Sequence, residues 1–462
     1  MQAELLDKFR QIVGKEYVLD QFEDRYCYTY DASSISVGKT GTPALVVRPA
    51  NVGEVSLIMK LANEFKIPII PRGAGTNVSG GTVSRADAVV MVLDRMNKII
   101  LIDTKNLVAE LEPGVVTADF QSEVEKLGLF YPPDPASRGY STMGGNVAEC
   151  AGGPRGAKYG VTRDYVLGLE VVLATGEIIK TGSRTMKSVA GYDLTRLIVG
   201  SEGTLAIVTK IIVKLIPLPE GKKTMLAIFD DLYKASETVA QVFMAGVVPT
   251  TLELLDNIYI RNIEDYVHIG LPVDAEAVLL IEVDGYMECL DRQIELVSKI
   301  CLEQGAVKIQ VAKTPQEAEE LWVARRSAFA SVSKVRPTII GEDATVPRDK
   351  IPDVVKQIRE IAEKYKIIIA VLGHAGDGNL HATILTDERD KEEMVRVEKA
   401  IGEILHASLA AGGTLTGEHG IGRMKSKYLG LEVGQDGLNL MKTIKRALDP
   451  NNILNPGQML GE

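Results

Sequence analysis

Four glycines crowd the nine residues from Gly73 to Gly81, in the loop Arg72-Gly73-Ala74-Gly75-Thr76-Asn77-Val78-Ser79-Gly80-Gly81. A loop this poor in side chains leaves several backbone N–H groups free to converge on an anion, the arrangement that binds pyrophosphate. Its flanks restrict the fold. The run Ile67-Pro68-Ile69-Ile70-Pro71 before it reads as a strand, and the next clear element is another strand, Ala88 to Leu93. In a Rossmann unit a helix opens directly after the glycine turn. The spacing here points to a different phosphate-binding frame.

Residues 39–219 alternate strands and helices around this loop. Ala44 to Val47 is a strand, and Val52 to Phe65 is an amphipathic helix. A second glycine-rich region runs from Tyr131-Pro132-Pro133-Asp134-Pro135 through Ser141-Thr142-Met143-Gly144-Gly145-Asn146 to Ala151-Gly152-Gly153, then on to Tyr159-Gly160. Strands from Val166 to Leu173 and from Ile178 to Lys180 flank the turn Thr175-Gly176. A third loop follows at Gly200-Ser201-Glu202-Gly203-Thr204, leading into Ile207 and Val208. Tight turns explain any one such loop. Three in one α+β domain suggest an extended cofactor lying along exposed backbone. Residues 1–38 carry a helical stripe (Leu5, Leu6, Phe9, Ile12, Val13) and read as a packing appendage.

Pro217-Leu218-Pro219-Glu220-Gly221 marks a domain boundary. From 220 to 411 the order strand–helix–strand–strand–helix–strand predicts a ferredoxin-like cap, with an antiparallel sheet under helices. Within it, Ile367 to Leu372 and Ala382 to Leu385 bracket Gly373-His374-Ala375-Gly376-Asp377-Gly378-Asn379-Leu380-His381. Two β-rich runs joined by turn formers predict a hairpin that brings two imidazoles together, cross-strand Cβ atoms lying roughly 5 Å apart. Asp377, in an Asp-Gly dipeptide, reads as a turn former. The segment 412–462 begins with Gly412-Gly413-Thr414-Leu415-Thr416-Gly417-Glu418-His419-Gly420-Ile421-Gly422. His374, His381 and Glu418 make a ligand set for a divalent metal, Zn²⁺ first, with Fe²⁺ or Mn²⁺ as alternatives.

A chain of 462 residues is too long for one core and predicts two or three domains. A net charge of −10 argues against nucleic acid. Cys27, Cys150, Cys289 and Cys301 show no C-x-x-C spacing, which gives neither an iron–sulfur signature nor a disulfide framework. The N-terminal residues show no signal peptide, and no run of about 18 apolar residues suggests a membrane span. A cytoplasmic protein is expected.

The loop at 71–81, the Pro-Pro-Asp-Pro and Gly-Gly-Asn segments and Glu202-Gly203-Thr204-Leu205 resemble the FAD-binding domain of the vanillyl-alcohol oxidase/p-cresol methylhydroxylase flavoproteins. The His and Glu-His stretches resemble, within that superfamily, the FAD-linked D-2-hydroxyacid dehydrogenases: D-lactate dehydrogenases, the flavin subunit of glycolate oxidase and D-2-hydroxyglutarate dehydrogenase. The resemblance implies a two-subdomain FAD-binding domain of the p-cresol methylhydroxylase type plus the cap. It implies FAD pyrophosphate on Arg72, Gly73, Ala74, Gly75, Thr76 and Asn77, beside Pro71, Gly80 and Gly81. Pro133, Asp134, Ser141, Gly144, Gly145, Asn146, Ala151, Gly152, Gly153, Tyr159, Gly160, Glu202, Gly203, Ile207, Val208 and Asn455 would hold the rest. No His precedes His268, so non-covalent FAD is expected. The family position of a substrate-carboxylate Arg falls on Arg325, in the helix carrying Leu321-Trp322-Val323-Ala324-Arg325-Arg326.

Oxidising a 2-hydroxy acid needs a hydride acceptor, a base for the hydroxyl proton and a grip on the carboxylate. His419 is the candidate base, Asn379 a donor to substrate, and Arg325 the carboxylate fork. Relatives acting on a five-carbon dicarboxylate use a second cationic contact where this chain has Glu342-Asp343, so D-lactate or glycolate is expected over 2-hydroxyglutarate. An alkyl-dihydroxyacetone-phosphate synthase-like transferase would need basic phosphate-binding residues near the His motif, and none is present there. By elimination, the electrons leave to a separate carrier; the resemblance implies an electron-transferring flavoprotein, as in some relatives of the family. An iron–sulfur partner or a peripheral membrane route remains open.

Overall fold

The structure, a computed structural model, describes residues 3–35 and 37–461. They form two compact units. The first takes the chain through Ala151, then Val161–Leu218, then Glu418 onward; the second is Gly152–Gly160 with Pro219–Gly417.

The first unit contains two sheets and a two-stranded ribbon. One sheet consists of β1 (Val18–Leu19), β2 (Leu45–Val47), β3 (Ile69–Arg72) and β4 (Val89–Val92), in the order β1-β2-β4-β3. β2 and β3 run parallel to β4. Every residue of β4 is buried, as a central parallel strand requires. The helix Val52–Phe65 connects β2 to β3. Asn51 Oδ1 accepts the Glu54 amide (3.0 Å) and the Glu54 carboxylate accepts the Ala50 amide (2.8 Å), a reciprocal cap that fixes where the helix starts. Its buried face packs into a core that also takes Phe9 and Val13. The N-terminal segment is therefore more than an appendage. Phe9 is in that core, and β1 pairs antiparallel with β2 at the sheet edge.

The other sheet is antiparallel and holds β5 (Ile99–Asp103) and β6 (Val108–Leu111). β7 (Leu129–Phe130) belongs to the ribbon. The sheet is completed by β8 (Val166–Val172), β9 (Ile178–Gly182) and β10 (Ile207–Lys214), and β11 (Ile216–Pro217) pairs with β7. Its strand order is β5-β6-β10-β8-β9. The C-terminal residues lie along β3: the Ile69 amide donates to Ile453 O (2.7 Å) and the Asn455 amide to Ile69 O (2.8 Å). The buried Lys445 ammonium ties this end down through Thr204 O, Leu454 O and Asp449.

The second unit is built on β12 (Gly221–Phe229), β13 (Thr251–Asp256), β14 (Ala277–Gly285), β15 (Lys308–Val311), β16 (Thr338–Thr345), β17 (Ile368–His374) and β18 (Asn379–Thr386). They form one antiparallel sheet, ordered β15-β12-β14-β13-β17-β18-β16. The first four strands, with helices Leu232–Met244 and Met287–Glu303, keep the 4-1-3-2 order of a ferredoxin-like unit. Three more strands widen it, because β17 pairs with β13 and carries the His hairpin into the same sheet.

Directly opposed residues on neighbouring strands share a face. One face buries Leu226, Ile228, Leu255, Val278, Leu280, Leu372 and Leu385 against Tyr259, Ile260, Ala324, Ala328 and Val332 of the helices Asn257–Val267 and Pro315–Val332. The registers place Glu282, Glu253, His374, Asn379, His381 and Asp343 on that same face, toward one end. A polar group on an otherwise apolar face is the first structural pointer to a site.

Candidate active site

In the second unit the two histidines are not directly opposed. His374, ending β17, faces Asn379, while His381 faces Leu372. They are diagonal neighbours on one face, with ring centroids 5.1 Å apart and planes at 89°. The Arg348 guanidinium donates to Gly376 O (2.5 Å) and holds the turn between them.

Each ring has a carboxylate beside Nδ1. Glu253 lies 2.8 Å from His374 Nδ1, and Asp343, opposite His381 in β16, lies 3.7 Å from His381 Nδ1. For His374 the distance is a hydrogen bond, and a carboxylate on Nδ1 leaves Nε2 as the ring's lone-pair nitrogen, which is how metal-ligating histidines are held; at His381 the carboxylate is a charged neighbour beyond hydrogen-bond reach. Asn379 is buried, and its Oδ1 has no hydrogen-bond partner among the described residues; nor has Thr345 Oγ1, directly across the strand pair. Such atoms cost about 1–3 kcal/mol each when left unmet, so a polar ligand on this face has a physical reason to bind.

Arg325 Nε donates to Glu253 Oε2 at 2.7 Å. Its terminal Nη groups donate to none of the described residues and stay available to a carboxylate. Burial pushes the Glu253 carboxyl up, but His374 and Arg325 beside it outweigh that and hold it below its ordinary value.

Glu342, the other half of the acidic pair used above to weigh substrates, points elsewhere. It is opposite Ala382, one step along the strand, so its side chain is on the other face. The electrostatic argument against a second substrate carboxylate rests on Asp343 alone. Asp343 Oδ2 in turn accepts Thr416 Oγ1 (2.6 Å) and the Gly417 amide (2.8 Å). The chain is thereby clamped at Gly417, and Glu418 follows one peptide bond later, its Cα about 3.8 Å from the clamped one.

In the first unit the glycine loop has the form of an anion cradle. The amides of Gly73, Ala74, Gly75, Thr76 and Asn77 donate to no acceptor among the described residues. The Arg72 guanidinium donates to Tyr30 O (2.7 Å), and Asn77 Oδ1 accepts the Gly81 amide (2.8 Å), which closes the neck of the loop. A Cβ at Gly73 would lie 2.3 Å from Thr142 Oγ1, so only glycine lets the first and second loops meet. Buried polar atoms nearby in sequence or bonding, Ser79 Oγ, Asn455 Oδ1 and both side-chain ends of Gln458, also lack partners among the described residues. These features fit a bound dinucleotide.

Other proposed cofactor residues serve the framework. Asn146 Nδ2 and Ser141 Oγ both meet Thr117 Oγ1, and the Gly144 amide donates to Pro113 O. Pro133 O accepts Gln121 Nε2. Gly152, Gly153, Tyr159 and Gly160 fall in the second unit rather than the FAD-binding one. The reason is local: Tyr159 Oη donates to Asp284 (2.9 Å), and Lys158 pairs with the same carboxylate.

Glu202 is buried, and its carboxylate accepts the amides of Ile421 (2.7 Å) and Gly422 (2.8 Å), while Ser79 O accepts those of Arg423 and Met424. Gly422 sits at φ 50°, and a Cβ there would be 2.1 Å from Ser79 O. The turn directly after Glu418-His419 is thus fastened to the first and third glycine loops. Asn455 Nδ2 completes the knot by donating to Gly81 O and Glu202 O.

Burial pushes the Glu202 carboxyl up to about 7, against its two amide bonds. Burial first, then the neighbouring Glu202 and Asp31, push Glu149 well above its ordinary value. A carboxyl raised in the folded state contributes fully below its unfolded value of 4.5, and that contribution is lost as pH rises to about 7. Thermal unfolding of Glu149→Gln should therefore fall less steeply with pH between about 5 and 8 than wild type. Parallel curves would show that the pair carries no such strain.

The comparisons with known proteins agree with this architecture. The model for FAD-binding domains matches residues 43–182, and that for the C-terminal domain of FAD-linked oxidases matches residues 218–459. The fold is shared with p-cresol methylhydroxylase (TM-score 0.82, 21% identity, covering 99% of this chain and 96% of that one). It is shared also with alkyldihydroxyacetonephosphate synthase (TM-score 0.77, 20% identity, 99% and 86%). Fold and domain matches define an FAD-dependent oxidoreductase. The glycolate oxidase subunit GlcD of Bacillus subtilis is 51% identical over 98% of this chain and 96% of its own length. A D-lactate dehydrogenase of Anaerostipes hadrus is 36% identical over 99% and 97%. The chain belongs to the FAD-linked D-2-hydroxyacid dehydrogenase family.

Proposed function

We propose that the protein oxidises a small D-2-hydroxy acid, D-lactate in the first place, to the 2-oxo acid and passes the electrons to a separate carrier. The observation that carries this is the polar end of the second unit's sheet, where His374, His381, Asn379 and Arg325 stand with their supporting carboxylates. Glycolate is the second reading, favoured by the 51% identity to a glycolate oxidase subunit.

Non-covalent FAD supplies the two-electron acceptor for the C2 hydrogen. A divalent metal on His374, His381 and Glu418 would supply a Lewis acid that lowers the pKa of the substrate hydroxyl. The remaining work belongs to the chain. Arg325, with Nε held by Glu253, offers its Nη pair to the substrate carboxylate. Asn379 donates to the substrate from the buried row beside His374. His419 accepts the hydroxyl proton; the Glu202 and Ser79 bonds to residues 421–424 fix its backbone.

Among the described residues no helix is long and apolar enough to cross a membrane. The word "subunit" in the relative's name supports a partner, and an electron-transferring flavoprotein in a cytoplasmic complex is the partner proposed. The purified chain with D-lactate or glycolate should reduce an artificial dye but not NAD⁺. Direct NAD⁺ reduction by the chain alone would remove the case for a partner.

A further inference from the structure

Glu253 is a carboxylate with no exposed surface, set in the middle of the apolar strand Thr251-Leu252-Glu253-Leu254-Leu255. Burying a carboxylate is costly unless it is paired and hydrogen-bonded. This one is paired twice. His374 Nδ1 lies 2.8 Å from Oε1 and 3.0 Å from Oε2, and Arg325 Nε lies 2.7 Å from Oε2. The two partners come from different elements, β17 and the helix Pro315–Val332.

We propose that Glu253 is a positioning residue that sets the metal ligand and the substrate-carboxylate anchor as one unit. Its bond to Nδ1 selects the His374 tautomer with Nε2 as the ligand atom. Its bond to Nε holds the Arg325 guanidinium by one edge and leaves the Nη groups for another acceptor. A single side chain thus fixes the distance between the point that holds C2–OH and the point that holds C1. In a 2-hydroxy acid the hydroxyl and the carboxylate are on adjacent carbons, so a substrate of that class needs its two anchors held together. The metal arm of this proposal rests on the ligand reading above; the Arg325 arm does not.

The test uses FAD-loaded protein and three variants: Glu253→Gln, Glu253→Asp and Arg325→Lys. Affinity for Zn²⁺ is read by competition with a chelator, and KM for D-lactate and glycolate is separated from the flavin-reduction rate at saturation. Glu253→Gln, with FAD content unchanged, should lose about 10–100-fold in Zn²⁺ affinity, the usual worth of such an outer partner, and raise KM about tenfold or more as the guanidinium loses its charged anchor. Arg325→Lys should raise KM and leave Zn²⁺ affinity within about twofold, because it lacks the His374 contact. If Glu253→Gln does not fold, Glu253→Asp keeps the charge but shortens the reach, and at least one of the two readouts must still move. A folded Glu253 variant with both readouts near wild type overturns the proposal, as does one in which Zn²⁺ affinity and KM in Glu253→Gln do not change together. Wild-type protein that takes up no divalent metal would sink the ligand reading instead, while the KM arm still decides the role of Glu253.

Discussion

His419→Asn is expected to bind FAD, metal and substrate normally and yet reduce its flavin on the order of 10²–10⁴-fold more slowly, the range for loss of a positioned base. Asn fills a similar volume and can hydrogen-bond, but it cannot take a proton at neutral pH. The turn that follows is held by backbone bonds from Ile421 and Gly422 to Glu202, none of which involves the imidazole. The loop should therefore survive the substitution. Rapid-mixing measurement of flavin bleaching reads the step directly, and a rate within tenfold of wild type would reassign the base.

His381→Ala and His374→Ala should each strip the bound divalent metal while leaving FAD in place. The two effects separate because the candidate FAD cradle, with its free amides at residues 73–77, lies in the first unit and the histidines in the second. Loss of a Lewis acid worth several kcal/mol should lower flavin reduction by roughly 10²-fold or more. His374→Ala carries an added penalty, since it leaves the buried Glu253 with only Arg325. Elemental analysis beside flavin absorbance checks both, and full metal content in the two variants would exclude the ligand set.

The legible parts of this chain were those written in local chemistry. The helix Val52–Phe65, the turn Asp377-Gly378 and the glycine loop all announce themselves within a few residues. The hairpin was legible too, but not its register. The 3₁₀ turn Ala375–Asp377 opposes His374 to Asn379, which makes the two imidazoles diagonal rather than facing. The wider sheet was hidden because β13 and β17 are more than a hundred residues apart, and nothing local encodes that pairing. Glu253 and Asp343 were missed as site residues for the same reason: their partners come from distant elements. A signal did exist for Glu253, a lone acid inside an apolar strand, which burial forces to find cations. Glu342 shows the converse error. Its neighbour reaches the His face, and the alternation of a strand turns Glu342 away from it.

The most direct measurement adds D-lactate, L-lactate, glycolate and D-2-hydroxyglutarate separately to the purified, FAD-loaded protein without oxygen and follows the flavin absorbance. Fast bleaching by D-lactate or glycolate is expected, with D-2-hydroxyglutarate slower by about tenfold or more, since Arg325 offers one fork and Asp343 repels a second carboxylate, and with L-lactate slower too, as the likeness to D-lactate dehydrogenases implies. A flavin left oxidised by all four acids, or one bleached fastest by the dicarboxylate, would contradict the account.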